Sequence, residues 1–97
     1  MNRPHVVFDR SSVKAAIRAK ITALAKVNDI DATGIADEDV IPATGYLDST
    51  GILELVVWFD STYQLGLKQE EINIDNLGSI DAMAGFLLSR KAGAEAS

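Results

Sequence analysis

The chain contains no cysteine. That excludes a disulfide framework, a thiolate zinc site and a protein thiol acting as nucleophile. Aromatic residues make up only 6% and there are two prolines, so the composition favours a helical domain over a sandwich of short strands. Histidine occurs once, as His5, which leaves a serine nucleophile without the base it normally needs. No Gly-x-Ser-x-Gly elbow is present, and no glycine-rich loop ends in Gly-Lys-Ser or Gly-Lys-Thr. No apolar run approaches the roughly 18 residues of a membrane span. The start, Met1-Asn2-Arg3-Pro4-His5, lacks the apolar stretch of a signal peptide. These absences predict a cytoplasmic protein that has no membrane partner and is not itself an enzyme.

The 97 residues are 47% hydrophobic, mostly Ala, Ile, Leu and Val, which suits one domain over 1–97. The net charge is −5, unevenly spread. Residues 1–27 carry six Lys/Arg against Asp9 alone, whereas residues 28–97 carry three against thirteen Asp/Glu. The acidic part repels nucleic acid and attracts basic surfaces. The basic part fits the exposed face of one amphipathic helix and lacks interleaved aromatics for base stacking. No nucleic-acid partner is expected, and a monomer is.

Residues 1–10 read as an irregular lead-in, with Ser11 and Ser12 as helix N-caps. Val13, Ile17, Ile21 and Leu24 recur at helical spacing and predict a first helix to about Val27. Residues 28–48 read as a long loop that Ile35, Val40, Ile41 and Leu47 pin to the core. A second helix is predicted from Ser49 to about Tyr63, with Gly66 as stop signal. One brief helical turn is expected between Leu67 and Leu77. Ser79 then caps a last helix whose inner face is Ile80, Met83, Ala84 and Leu87, and residues 92–97 read as a flexible tail. The fold class is all-α: a small bundle of three main helices with a short fourth turn.

The second helix has more apolar residues than one face can bury. On a helical wheel Ile52, Val56, Phe59 and Tyr63 cluster with Leu55 as the core face. Leu53 and Val57 fall almost opposite, beside Glu54, Asp60 and Ser61, and Trp58 lies on a flank. An apolar stripe turned from the core needs a cover, either another part of the chain or a docking partner.

Two motifs need weighing. Asp29, Asp31, Thr33, Gly34 and Asp37 match the first, third, fifth, sixth and ninth positions of a calcium loop. The twelfth position is Val40 instead of a carboxylate, and Pro42 obstructs an exiting helix, so no metal site is expected. Asp48-Ser49 opens the second helix, where both residue types are favoured caps. A serine there also suits a modifying group, because the helix dipole favours a phosphodiester's negative charge.

The stretch Gly45-Tyr46-Leu47-Asp48-Ser49-Thr50-Gly51-Ile52-Leu53-Glu54-Leu55-Val56 resembles the phosphopantetheine attachment motif of acyl carrier proteins. The resemblance continues through Phe59, Tyr63, Gly66 and Leu67 and resumes at Ile72 and in Asn76-Leu77-Gly78-Ser79-Ile80. It spans roughly residues 40–90. It implies that Ser49 carries a covalent 4′-phosphopantetheine arm and that Asp48 assists a phosphopantetheinyl transferase near its magnesium. It implies that Leu53, Glu54, Val57 and Asp60 face partner enzymes. Thr50-Gly51 departs from the carriers of fatty-acid synthesis, and the first helix is unusually basic. In this the chain looks more like stand-alone aminoacyl or D-alanyl carriers.

The implied function is a carrier that holds an acyl or aminoacyl group as a thioester. Its implied partners are the transferase, an adenylating acyl or aminoacyl ligase and a downstream acyl-accepting enzyme. The alternative is an unmodified helical protein-interaction module in which Ser49 is only a cap.

Overall fold

The computed structural model describes residues 9–96, with side chains through Lys91. Their regular elements are all helical: α1 (Arg10–Lys26), α2 (Ile41–Thr44), α3 (Ser49–Tyr63), a 3-10 turn (Gln69–Glu71), α4 (Ile74–Leu77) and α5 (Ile80–Ala96). The three long helices are those the apolar spacing predicts. α1 packs against α5 and α3, and α4 packs against α5. Val13, Ile17, Ile21 and Leu24 of α1 are buried against Leu55 and Phe59 of α3 and Ile80, Met83, Ala84 and Leu87 of α5. Among the described residues no helix is long and apolar enough to cross a membrane.

The helix ends refine the sequence reading. The cap of α1 is Asp9, whose carboxylate accepts from the Ser12 backbone N–H at 3.1 Å. Ser11 and Ser12 lie in the first turn instead. A carboxylate at this position also complements the helix dipole, which a serine hydroxyl does only weakly. Most of the expected lead-in, residues 1–8, lies outside the described residues. Ser79 caps α5 as predicted, accepting from Ala82 N–H at 3.0 Å. The backbone of α5 continues through Ala96, where an irregular tail from 92 was expected. Ala92, Ala94 and Ala96 are strong helix formers and outweigh Gly93. Ser97 lies outside the described residues.

The long loop is tied down more firmly than its turn residues suggest. Ala32, Ile35, Ile41 and Leu47 are buried, while Val40 is exposed and pins nothing. Pro42 does not end order here. It occupies the first turn of α2, where its fixed φ fits and its missing N–H costs nothing. Gly45 closes α2 in the left-handed region at φ 78°. Two backbone bonds fasten the loop across the molecule: Ile41 N–H donates to Gly78 C=O at 2.7 Å, and Asp81 N–H to Asp37 C=O at 2.9 Å.

Side-chain charges complete the attachment. Lys14 Nζ lies 2.7 Å from Asp37 and 3.1 Å from Asp81. Arg18 donates to the Asp37 carboxylate and to Ile35 C=O. Arg10 reaches Asp81 at 3.6 Å. The basic face of α1 is therefore not a purely solvated face. Three of its charges are paired with acids of the loop and of α5. The Lys14 hydrogen bond holds the Asp37 carboxyl below its ordinary range, with Arg18 adding to the effect. Hydrogen bonds to Asp37 and Asp81 raise Lys14.

The single turn expected between Leu67 and Leu77 is two pieces, the 3-10 turn and α4. Asn73 separates them by capping α4 with its side chain, which accepts from Asn76 N–H at 2.8 Å. Arg90 of α5 holds the 3-10 turn through both Glu71 oxygens at 2.9 Å. The Glu71 carboxyl is held low by the Lys68 backbone N–H and by Arg90. Gly78 ends the segment where nothing larger fits: a Cβ there would lie 2.4 Å from the Ile74 carbonyl oxygen.

Two outcomes are expected. Gly78→Ala should cost about 1–3 kcal/mol in denaturant unfolding through that clash. Asp37 and Glu71 titrate below their ordinary values of 3.8 and 4.5, so their contribution is complete above those values. It is lost as the pH falls through the lower folded-state values. Melting temperature should therefore begin to drop below about pH 4.5. The drop should be shallower in Asp37→Asn. Lys14 acts at the other end, where its contribution declines only above its ordinary value of 10.5.

Candidate functional site

The geometry at the start of α3 begins with Leu47, whose burial anchors the end of the loop. Asp48 follows in extended backbone and caps the helix: its Oδ1 accepts from Gly51 N–H at 2.8 Å, and its carbonyl accepts from Ile52 N–H at 2.9 Å. Glycine at position 51 suits this closure. A Cβ there would already lie 3.3 Å from both Asp48 Oδ1 and Leu47 Cβ.

The capping role thus belongs to Asp48, not to Ser49. Ser49 is the first helical residue and is exposed. Its hydroxyl enters no hydrogen bond among the described residues. The Ser49 and Thr50 N–H groups likewise have no partner there, as first-turn amides commonly do not. The second Asp48 oxygen, Oδ2, is also unengaged.

One and two turns further on, Leu53 is 62% exposed and Val57 55%. Both lie on the side turned from the core, as the wheel predicts, and no part of the described chain covers them. Glu54 is exposed and joins Asp48, Thr50 and Gly51 in lining a concavity of about 230 Å³. Its opposite wall is Leu24, Val27 and Asn28 at the end of α1. The sequence reading missed that wall. An exposed valine ending a helix is the only local signal, and its position beside α3 is a matter of tertiary packing.

Asp60 differs from its predicted neighbours. It is half-buried, and its Oδ1 accepts from Gly66 N–H at 2.8 Å and Leu67 N–H at 3.3 Å. It closes the turn that leaves α3, where Gln64 and Gly66 take positive φ values of 53° and 61°. The predicted core face is only partly enclosed. Leu55 and Phe59 are fully buried, while Ile52, Val56 and Tyr63 are half-buried. Trp58 lies on the flank with its ring 6.1 Å from Tyr63, edge to face. Burial raises the Tyr63 hydroxyl above its ordinary value.

The calcium-like loop turns its acids to separate tasks. Asp31 accepts from Thr33 through the hydroxyl at 2.6 Å and the backbone N–H at 3.0 Å, which holds its carboxyl low. Asp37 faces Lys14 and Arg18. Asp29 sits in left-handed backbone at φ 59°.

This division of labour predicts a contrast between adjacent residues. Asp48→Ala should lower stability by about 1 kcal/mol through loss of the cap. Ser49→Ala should leave it within about 0.5 kcal/mol. Urea unfolding of the two variants checks both.

No family model matches this chain, and neither a curated protein nor a solved structure matches it.

Proposed function

We propose that this protein is a phosphopantetheine carrier in which Ser49 bears the arm through a phosphodiester. The observation that carries the reading is the Ser49 hydroxyl. It is exposed at the first residue of a fifteen-residue helix, and the fold makes no use of it because Asp48 provides the cap. A structural serine at a helix start normally supplies the cap itself. The free amides of the first turn and the positive end of the helix dipole suit a phosphodiester oxygen.

When bound, the arm supplies the thiol that this cysteine-free chain lacks, and that thiol holds an acyl or aminoacyl group as a thioester. The chain's own residues present it. Leu53 and Val57 offer apolar contact about 6 and 12 Å along the helix from Ser49, at a rise of about 1.5 Å per residue. Glu54 offers a charge for basic partner surfaces. Asp48 has one oxygen in the cap and one available to a transferase and its magnesium. The partners are a phosphopantetheinyl transferase, an adenylating acyl or aminoacyl ligase and an acyl-accepting enzyme. Asp60 contributes indirectly, by fixing the end of the helix.

The test is intact mass after incubation with coenzyme A and a promiscuous transferase. One phosphopantetheine should be added to the wild type and none to Ser49→Ala. An unmodified wild type, or addition that survives Ser49→Ala, would overturn the reading. The interaction-module alternative requires Leu53 and Val57 to bind a partner without any modification.

A further inference from the structure

The concavity beside Ser49 lies between two short stretches of fixed backbone. One is the end of α1. Val27, the C-cap of that helix, is 80% exposed despite its aliphatic side chain. The turn that follows it is held from beneath: Asn28 N–H and Ile30 N–H both donate to Ala25 C=O at 3.0 Å, and Ala25 itself is buried. The other stretch is the first turn of α3, where Thr50 and Gly51 directly follow Ser49 and line the concavity. Glycine is a poor helix former, and at this position it leaves the wall as bare backbone. The space between the two stretches is about 230 Å³.

Its lining combines two kinds of side chain. Leu24 and Val27 are aliphatic. The Asn28 amide, the Thr50 hydroxyl and the Glu54 carboxylate enter no hydrogen bond or ion pair among the described residues. Apolar walls with a few unengaged polar groups are the usual make-up of a small-ligand seat. A second hollow against α3, lined by Ile52 and Val56, differs in both respects. It is smaller, about 140 Å³, and the polar side chain in it, Asn73, is already engaged by Asn76 N–H and the Glu70 carbonyl.

We infer that the concavity between α1 and α3 seats the pantoyl portion of the arm on Ser49, an inference that rests on the carrier reading. This portion is the part of phosphopantetheine nearest the phosphate, and it joins a quaternary carbon bearing methyl groups to a hydroxyl and an amide. Leu24 and Val27 suit the methyl groups. Asn28, Thr50 and Glu54 supply donors and acceptors for the hydroxyl and the amide. Because Ser49 adjoins the seat, the covalent tether keeps the local concentration of this portion high, and a shallow site is enough. The end of α1 thereby gains a part in orienting the arm, which the motif around Ser49 does not assign to it.

The test uses isotope-labelled protein that a promiscuous transferase has loaded with an unlabelled arm from coenzyme A, with the added mass verified on the intact chain. Isotope-filtered NOE spectra then report contacts between the arm's methyl groups and the protein. Cross peaks to the Leu24 and Val27 methyls are expected, together with a shift of the Asn28 amide between the unloaded and loaded forms. Val27→Ser should lower the ratio of seated to free arm about threefold or more, and Asn28→Ala should lower it as well. Both side chains are exposed, and an unchanged melting temperature confirms each fold. Should a variant fail to fold, the wild-type cross peaks decide the matter. Loaded protein without those cross peaks, cross peaks to Ile72 or Ile74 in their place, or a ratio indifferent to both substitutions would overturn the inference and leave the carrier reading standing. A wild type that takes up no arm would overturn both.

Discussion

The arrangement depends on the ammonium of Lys14, held between Asp37 of the loop and Asp81 of α5. Three segments distant in sequence meet at that point. Arg18 adds a second cation to Asp37 and fixes the Ile35 carbonyl, so the loop cannot lift at one contact without disturbing the other. These groups are partly exposed and solvent-screened. Their role is better understood as choosing one path for the loop than as supplying bulk stability, which comes from the aliphatic core. The path matters because the loop ends at Asp48. With Ile35, Ile41 and Leu47 seated in the core, the chain enters α3 with one backbone conformation and one cap.

That conformation separates two jobs that the sequence places on adjacent residues. Asp48 supplies the acceptor for the first turn, and Gly51 lets the carboxylate close on the backbone. Ser49 is then left at the surface with its hydroxyl unused. A serine in the capping position would have its oxygen occupied and its side chain turned back towards the helix. The one-residue offset gives the cap to the aspartate and leaves the serine outside it. The stripe of Leu53 and Val57 extends the same side of the helix, so whatever approaches Ser49 meets apolar surface within two turns.

Much of this is legible from residue spacing because it rests on local periodicity. The spacing of Val13, Ile17, Ile21 and Leu24 marks the buried face of α1, and the surplus of aliphatics after Ser49 marks the exposed stripe. The positions that spacing misassigns are those where a side chain has a choice of partner. Asp9 takes the cap from Ser11 and Ser12 because a carboxylate was available one turn earlier. Asp60 lies on the outward side of the wheel yet bends to the Gly66 and Leu67 amides, since a helix ending in left-handed backbone leaves N–H groups to satisfy. The basic residues of α1 resemble a solvated face until the loop folds over them. Periodicity within one helix carries no information about which acids a loop will bring to it.

The pairing of charges also ties together two parts of the chain that differ in sign. Lys14, Arg18 and Arg10 are paired with Asp37 and Asp81, and Arg90 with Glu71. The acids outnumber them, and Glu38, Glu54 and Asp75 stay exposed without an ion pair among the described residues. The exposed stripe of Leu53 and Val57 has Glu54, also exposed, between them in the chain. A charge of that sign beside the stripe opposes a face-to-face approach of two copies, which would bring like charges together. Which acids stay unpaired is therefore set by which ones the cations of α1 and α5 have claimed.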